Sequence, residues 1–346
     1  MTPYFACYAI LLAALVAGTL FNRLRLAAIV AFVPMFLLIL QRGLVGTDSA
    51  VYVQEFDVIR YRGLLASAFE PGFSLIIEIL SWILSDPFQI LILLGAATAI
   101  IMFVAGMILE RSPLLLMTIV LPYFMFDMTM NGLRYGLAFS IIALGAAGLA
   151  RGRLHLFIVC AVIASSIQIT AALLAFCLWA LVEVRIRTFA GVAIGVAIAF
   201  LLFGDYIEGK VSDNEDLIGL GGLAGVAPLA VSLIILAALK SKGRNIVENQ
   251  LALLAMLAMQ IIAFIVSRYY YVGLRLQGLF LFLLYLYAAI MIGKSSLEAS
   301  KTFLLRWSLV LAALISSASR IKNFNDDFIG PSPFNPYYFA HEQAGY

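Results

Sequence analysis

Residues 88–109 read FQILILLGAATAIIMFVAGMIL, twenty-two consecutive positions without a charged side chain. As an α-helix this run is about 33 Å long, and the hydrocarbon core of a bilayer is about 30 Å thick. Similar runs recur along the chain near 4–21, 26–40, 113–126, 133–150, 154–167, 168–183, 188–204, 218–239, 249–267, 273–293 and 302–319. The composition agrees with this reading: 64% of the 346 residues are hydrophobic and 12% are charged, against roughly 45–50% and about 25% in soluble domains. The fold class expected is all-α, a polytopic membrane helix bundle of about twelve transmembrane helices forming a single integral membrane domain over 1–346. With neither a basic n-region nor an A-x-A-like cleavage site, the first apolar stretch reads as a helix that stays.

The segment PGFSLIIEILSWIL at 71–84 is apolar but short, carries Glu78 and opens on Pro-Gly. Its length suits a re-entrant or interfacial helix better than a crossing one. Charge asymmetry supports that choice, because cytoplasmic turns collect Lys and Arg. If 71–84 does not cross, the turns NRLR, ERS, ARGRLH, EVRIR, KSKGR and GKSSLEASK share one face. With Glu248 and Arg306 that face carries thirteen basic and four acidic residues, a net of +9, and the opposite face nets −6. The longer polar segments then lie outside: 41–87, 126–134, 205–217, 268–275 and the tail 320–346. Within 41–87, positions 49–69 read as an amphipathic helix with Asp48 at its N-cap.

Several chemistries are disfavoured. Cys7, Cys160 and Cys177 sit in apolar runs without a CxxC spacing, and His155 and His341 are the only histidines. That set builds neither a disulfide framework nor a zinc site, so no metal and no cofactor are expected. A net charge of +3 with scattered basic residues gives no nucleic-acid footprint.

The informative charges are arginines on the outward side: Arg42, Arg60, Arg62, Arg134, Arg268 and Arg275. An arginine at membrane depth costs at least about 2.5–3.5 kcal/mol unless paired or solvated. Snorkelling to headgroups or pairing with Asp48, Asp57 or Asp127 would account for some of them. The alternative is an anionic ligand, since a guanidinium fork matches phosphate oxygens. Arg134 opens a helix after Asn131-Gly132, and Arg268 and Arg275 flank Tyr269, Tyr270 and Tyr271, whose rings suit sugar faces. Asp48 and Glu70 are outward carboxylates, and Glu70 stands before the short helix, where a proton acceptor could form. Gln168, at the outward turn between two spans, either satisfies the hairpin backbone or faces a ligand. His341, in an aromatic, proline-rich tail, offers a weaker base. The acidic loop 205–217 reads equally as a lid or as a segment repelled by the membrane surface.

Three motifs carry a resemblance: R-G-x-x-G-T-D-x-x-x-Y from Arg42 to Tyr52, E-P-G-F from Glu70 to Phe73, and N-G-x-R-x-G-L-A from Asn131 to Ala138. Together with the R-Y-Y-Y turn at 268–271, this order resembles the EpsG/Wzy-like polymerases of bacterial polysaccharides. Members commonly carry a histidine in an H-x-[ST]-A-L context, where this chain reads Gln168-Ile169-Thr170-Ala171-Ala172-Leu173, which points away from a histidine base.

The resemblance implies polymerisation of undecaprenyl-diphosphate-linked repeat units at the periplasmic face of the bacterial inner membrane. It also implies a flippase and a chain-length regulator as partners, besides the lipid-linked glycan and the bilayer. For that chemistry Arg134 and Arg268 are the first candidates to hold the diphosphate, with Arg42 and Arg275 next. Asp48 or Glu70 would orient or deprotonate the attacking hydroxyl, and Tyr52, Asn131, Gln168, Tyr270 and Tyr271 would line the substrate site. The rival readings are a lipid-linked-oligosaccharide flippase or other transporter, which would place its charges near the midplane, and an O-antigen ligase-like transferase, whose long loop usually comes late in the chain.

Overall fold

The computed structural model describes residues 2–183, 225–240, 250–270, 272–294 and 303–325, together with Phe334 and Tyr337. The expected span at 188–204, the acidic loop 205–217, Tyr271 and His341 lie outside the described residues. Among the described residues every regular element is helical, in the order α1 (Thr2–Leu20), α2 (Leu24–Leu40), α3 (Ser49–Arg62), α4 (Pro71–Ile83), α5 (Pro87–Leu109), α6 (Leu133–Leu149), α7 (Leu154–Ile167) and α8 (Thr170–Glu183). These are followed by α9 (Val226–Lys240), α10 (Gln250–Val266), α11 (Val272–Lys294) and α12 (Phe303–Asn325). Pro3–Leu20, Pro87–Leu109 and Val272–Met291 are long and apolar enough to cross a membrane, and most of the remaining helices are shorter and apolar.

Helices α2 and α5 run antiparallel, as do α6 and α7, whereas α5 and α6 run parallel, so that Arg151 after α6 reaches Ile108 near the end of α5. Phe32 stacks on Phe103 at 4.1 Å between α2 and α5, and a Cβ placed on Gly95, a turn or more nearer the start of α5, would lie 3.3 Å from Ile39 near the end of α2. Along α6 and α7, Gly145 faces Cys160 and Gly148 faces Leu156. The missing side chains let the two backbones close up, which is how apolar helices associate when lipid offers no hydrophobic gain.

Arginines gather at one end of the bundle, on the last carbonyls of the helices that finish there. Arg306 donates to the Thr19 carbonyl of α1 at 3.1 Å. Arg151 reaches the Ala147 carbonyl of α6 at 3.3 Å and the Ile108 carbonyl of α5 at 3.5 Å, and Arg25 donates to the Arg111 carbonyl at 3.3 Å. Helix C-termini present unpaired carbonyls and the negative end of the macrodipole, so cations are stabilised there. These are the residues that the charge rule assigns to one face.

Helix α4 does not leave the opposite end. Its Gly72 abuts Ser166 at the finish of α7, and Arg60 of α3 donates to the Ser85 carbonyl just beyond its C-terminus. Thirteen residues span about 20 Å, short of the bilayer core. Trp82 near its end is 77% exposed, a residue type that settles at membrane–water interfaces.

Two expectations change. The stretch expected as an ordinary span at 113–126 winds into wide π-type turns over Leu116–Phe124 and again over Asp127–Asn131. Pro122 has no N–H to donate and crowds the carbonyl four residues back, which favours the wider register here, although α2 carries Pro34 within a regular helix. The Thr118 and Thr129 hydroxyls bond back to the carbonyls of Leu114 at 2.7 Å and Met125 at 2.6 Å along this stretch. The second change concerns α12, which continues past the expected end at 319 to Asn325, bringing Arg320 onto a helix. From the tail, Tyr337 donates to the Leu38 carbonyl at 2.5 Å, and Phe334 stacks on Phe324.

Candidate functional site

The chain leaves α2 and turns inward at Arg42, which is 1% exposed. Its guanidinium donates to the carbonyls of Thr129 at 2.7 Å, Met130 at 2.8 Å and Val45 at 2.9 Å, and to the Ser49 hydroxyl. Thr129 and Met130 end the wide helix, so a cation sits on its negative pole. Burial pulls the guanidinium down to about 10, and it stays charged at neutral pH. The sequence offers Arg42 as a diphosphate ligand, whereas the structure commits its donors to the protein's own backbone.

That clamp fixes the next turn. Gly46 has φ +100°, and a Cβ there would strike the Met130 carbonyl, so only glycine fits. Thr47 and Asp48 are thereby carried onto Asn131: the Thr47 hydroxyl lies 2.6 Å from Asn131 Oδ1, and the Asp48 N–H donates to the same oxygen at 3.3 Å. Asp48 stands at the N-cap position of α3, but its side chain does not cap the helix. The nearest donor to its carboxylate is instead the Thr47 hydroxyl, at 3.2 Å. Burial pushes the Asp48 carboxyl above the ordinary aspartate range; Thr47, Arg275 and Arg134 pull it back, and Asp127 adds to the rise.

Arg134 enters from α6. It pairs with Glu70 at 2.7 Å, the two side chains being 28% and 22% exposed, and its guanidinium lies over the Phe69 ring at 4.4 Å. Its backbone N–H donates to the Tyr52 hydroxyl at 3.4 Å, and its Nε is buried without a hydrogen-bond partner. Tyr52 is walled by Phe56, Phe69 and Phe73. The three motifs, separated by up to about ninety residues, thus meet in one place: two carboxylates, an arginine with a spare donor, and an aromatic wall. Such a site can hold an anion and accept a proton a short distance away.

The other candidates lie at varying remove. Arg275, in the first turn of α11, is exposed and acts on Asp48 through its charge. Arg268, Tyr269 and Tyr270 form the exposed turn before it, with Arg268 stacked over Phe264 at 4.4 Å. Gln168 ends α7 two residues beyond Ser166, the residue that meets Gly72, and is half-buried. Among the described residues no three His, Cys, Asp or Glu side chains are grouped to hold a metal, and the three cysteines are free.

The sequence offers Asp127 as an arginine's partner but does not point to Arg320, which is the arginine the structure brings to it. Asp127 accepts from the Tyr135 hydroxyl and from Asn131 Nδ2 at 3.4 Å, and forms an ion pair with Arg320 at 3.6 Å. Arg320 lies over the Tyr123 ring at 4.0 Å. A signal was present in the apolar spacing that continues through Ile321 and Phe324, which extends α12 past Arg320.

The family model then decides the relationship, because it matches residues 25–338 and so covers all three converging motifs. The chain belongs to the EpsG family. EpsG membership and the apolar helices make it a membrane protein of the polysaccharide-polymerase type. Comparison with curated proteins and with solved structures gives no match.

Proposed function

We propose that this EpsG-family protein is a glycosyltransferase that polymerises undecaprenyl-diphosphate-linked oligosaccharide repeat units, without a metal, at the periplasmic face of the bacterial inner membrane. The observation that carries this reading is the meeting of Asp48, Glu70, Arg134 and the Tyr52 wall at the bundle end remote from the arginine-rich turns. By the charge rule those turns face the cytoplasm, so the site faces the periplasm. The full topology in this account has about twelve crossings, with α3 and α4 lying outside or dipping in.

A polyprenyl-diphosphate glycan keeps its chain in lipid, its diphosphate at the interface and its sugars in water. The reaction joins a hydroxyl oxygen on the non-reducing-end sugar of an incoming unit to the anomeric carbon of the growing chain. The bond from that carbon to the diphosphate breaks, and its electron pair leaves with undecaprenyl diphosphate. The proton of the attacking hydroxyl passes to a carboxylate. Asp48 suits that role, being half-buried with its carboxyl raised and facing Arg275 and Arg134 only through their charge, whereas Glu70 holds Arg134 in place. Arg134, with its spare Nε, and Arg275 receive the negative charge that develops on the leaving diphosphate. Tyr52 and Asn131 shape the inner wall, Arg268 and Tyr270 form the outer rim, and Gln168 flanks the entrance beside α4. A flippase would deliver the substrate and a chain-length regulator would limit the product.

Expression of variants in cells lacking their own copy tests the assignment. Asp48→Asn should reduce polymer by about 10²–10⁴-fold, the usual worth of a positioned base, while lipid-linked single repeat units accumulate on the periplasmic side. Unchanged polymer from a stably expressed Asp48→Asn protein would remove Asp48 from the mechanism. Accumulation of single units on the cytoplasmic side would favour a flippase.

A further inference from the structure

Asn131 stands between two carboxylates. Its Oδ1 accepts the Asp48 N–H at 3.3 Å and lies 2.6 Å from the Thr47 hydroxyl, while its Nδ2 donates to Asp127 Oδ1 at 3.4 Å. Asp127 is held on the far side by the Tyr135 hydroxyl and by Arg320 at 3.6 Å. Arg320 comes from α12, the last helix of the chain, is only 13% exposed, and has a buried Nε without a partner. A charged pair this deep is costly and is weak evidence for stability on its own. Its position, one residue away from the Thr47–Asp48 turn, gives it another use.

We propose that Asp127 and Arg320 are positioning residues that act through Asn131 to set the orientation and charge of Asp48. This rests on Asp48 serving as the proton acceptor of the transfer reaction. The Thr47 hydroxyl has one proton and two acceptors in reach, Asn131 Oδ1 and Asp48 Oδ1 at 3.2 Å. With Asp48 ionised, that proton points to the carboxylate. Once Asp48 has taken a proton, the hydroxyl turns to Asn131 and accepts from Asp48, so each protonation state has a complete set of partners within the triad. Asn131 can serve as that second acceptor only if its amide is held oxygen-outward, and Asp127, an obligate acceptor for Nδ2, enforces this orientation.

The charges facing Asp48 are Arg275 from α11, Arg134 from α6 and Asp127 from the wide helix, with the Tyr52 hydroxyl from α3. Asp127 is the negative member, and Arg320 offsets it. Opposite responses follow. Asp127→Asn removes a negative neighbour and makes Asp48 more acidic. Arg320→Gln leaves Asp127 without its cation and makes Asp48 less acidic.

The test is infrared titration of the Asp48 carboxyl band in purified full-length protein in lipid nanodiscs, the band being identified by its loss in Asp48→Asn. Polymerisation is followed in parallel as a function of pH. The expected result is displacement of the Asp48 midpoint to lower pH in Asp127→Asn and to higher pH in Arg320→Gln, with Arg320→Lys near wild type and the acid limb of activity moving alongside. Lower activity or melting temperature with the midpoint unmoved in both variants would make the pair purely structural and overturn the inference. Displacement of the band without any effect on an active enzyme would instead show that Asp48 is not the base, which overturns that part of the functional reading separately.

Discussion

Arg42 and Arg134 both stand at helix ends facing the same side of the molecule, and their surroundings give them different work. Arg42 is ringed by carbonyls, so Arg42→Ala would strand several buried acceptors. Breaking such a charged network costs about 3–5 kcal/mol, and the expected outcome is poor recovery from detergent and a lowered melting temperature, with Arg42→Lys only partly restoring it. Arg134 is half-open and pairs with Glu70. Arg134→Ala should therefore stay folded while losing about 10²–10³-fold in rate, as expected for a lost transition-state donor. Asp48 adds a pH signature. Its folded pKa lies above the ordinary aspartate value of 3.8, so the carboxylate needed as a base is populated only above that raised value. The acid limb of kcat/KM should accordingly lie above the ordinary aspartate range and disappear in Asp48→Asn. At this scale the sequence displays Asp48, Glu70 and Arg134 in three charged motifs that meet in the structure, whereas Arg268, ranked with Arg134 on the sequence, lies in an exposed turn over Phe264. The sequence did not show that Arg42 would be consumed internally, since the carbonyls that consume it arise from a wide helix that no residue pattern announces.

The elements explain the remaining differences between expectation and structure. Span lengths and ends were legible from apolar runs for α1, α2, α5, α7 and α11, and α4 was legible as too short to cross. The wide turns after Leu116 were not, although Pro122 was in plain view, because a proline signals a break without specifying the register that replaces it. Arg320 was missed because the run of serines at 316, 317 and 319 resembles the start of a polar tail. Two substitutions probe the elements. Gly46→Ala should abolish activity and lower stability, through the forbidden φ and the Met130 clash, whereas Gly63→Ala, also at positive φ but with nothing within 4 Å of its Cβ, should cost stability alone. At the other end of the bundle, Glu110 is buried after α5 and accepts from the N–H groups of Leu115 and Leu116 at 2.8 Å. Burial nonetheless pushes it up from 4.5 to about 8. A carboxyl raised on folding contributes stability that is fully present below about 4.5 and is lost as pH rises through about 8. Melting temperatures between these limits should fall for wild type relative to Glu110→Gln, and parallel curves would contradict the assignment.

For the whole molecule, charge and chemistry occupy opposite ends. Arginines on helix C-termini mark one end, and the Asp48–Glu70–Arg134 cluster marks the other. An impermeant thiol reagent applied to cells should label Leu65→Cys, whose position is 99% exposed, and should label Arg153→Cys only after the membrane is opened. The reverse pattern would put the site in the cytoplasm. On the proposed function, this end of the bundle transfers a glycan from a polyprenyl diphosphate using its own arginines and carboxylates. The most direct measurement is polymerisation by purified protein in nanodiscs, supplied with its lipid-linked repeat unit and EDTA, for wild type, Arg134→Ala and Asp48→Asn. The expected result is a ladder of products from wild type and none from the two folded variants. A wild-type protein that yields no ladder but moves the lipid-linked unit across vesicles would contradict it.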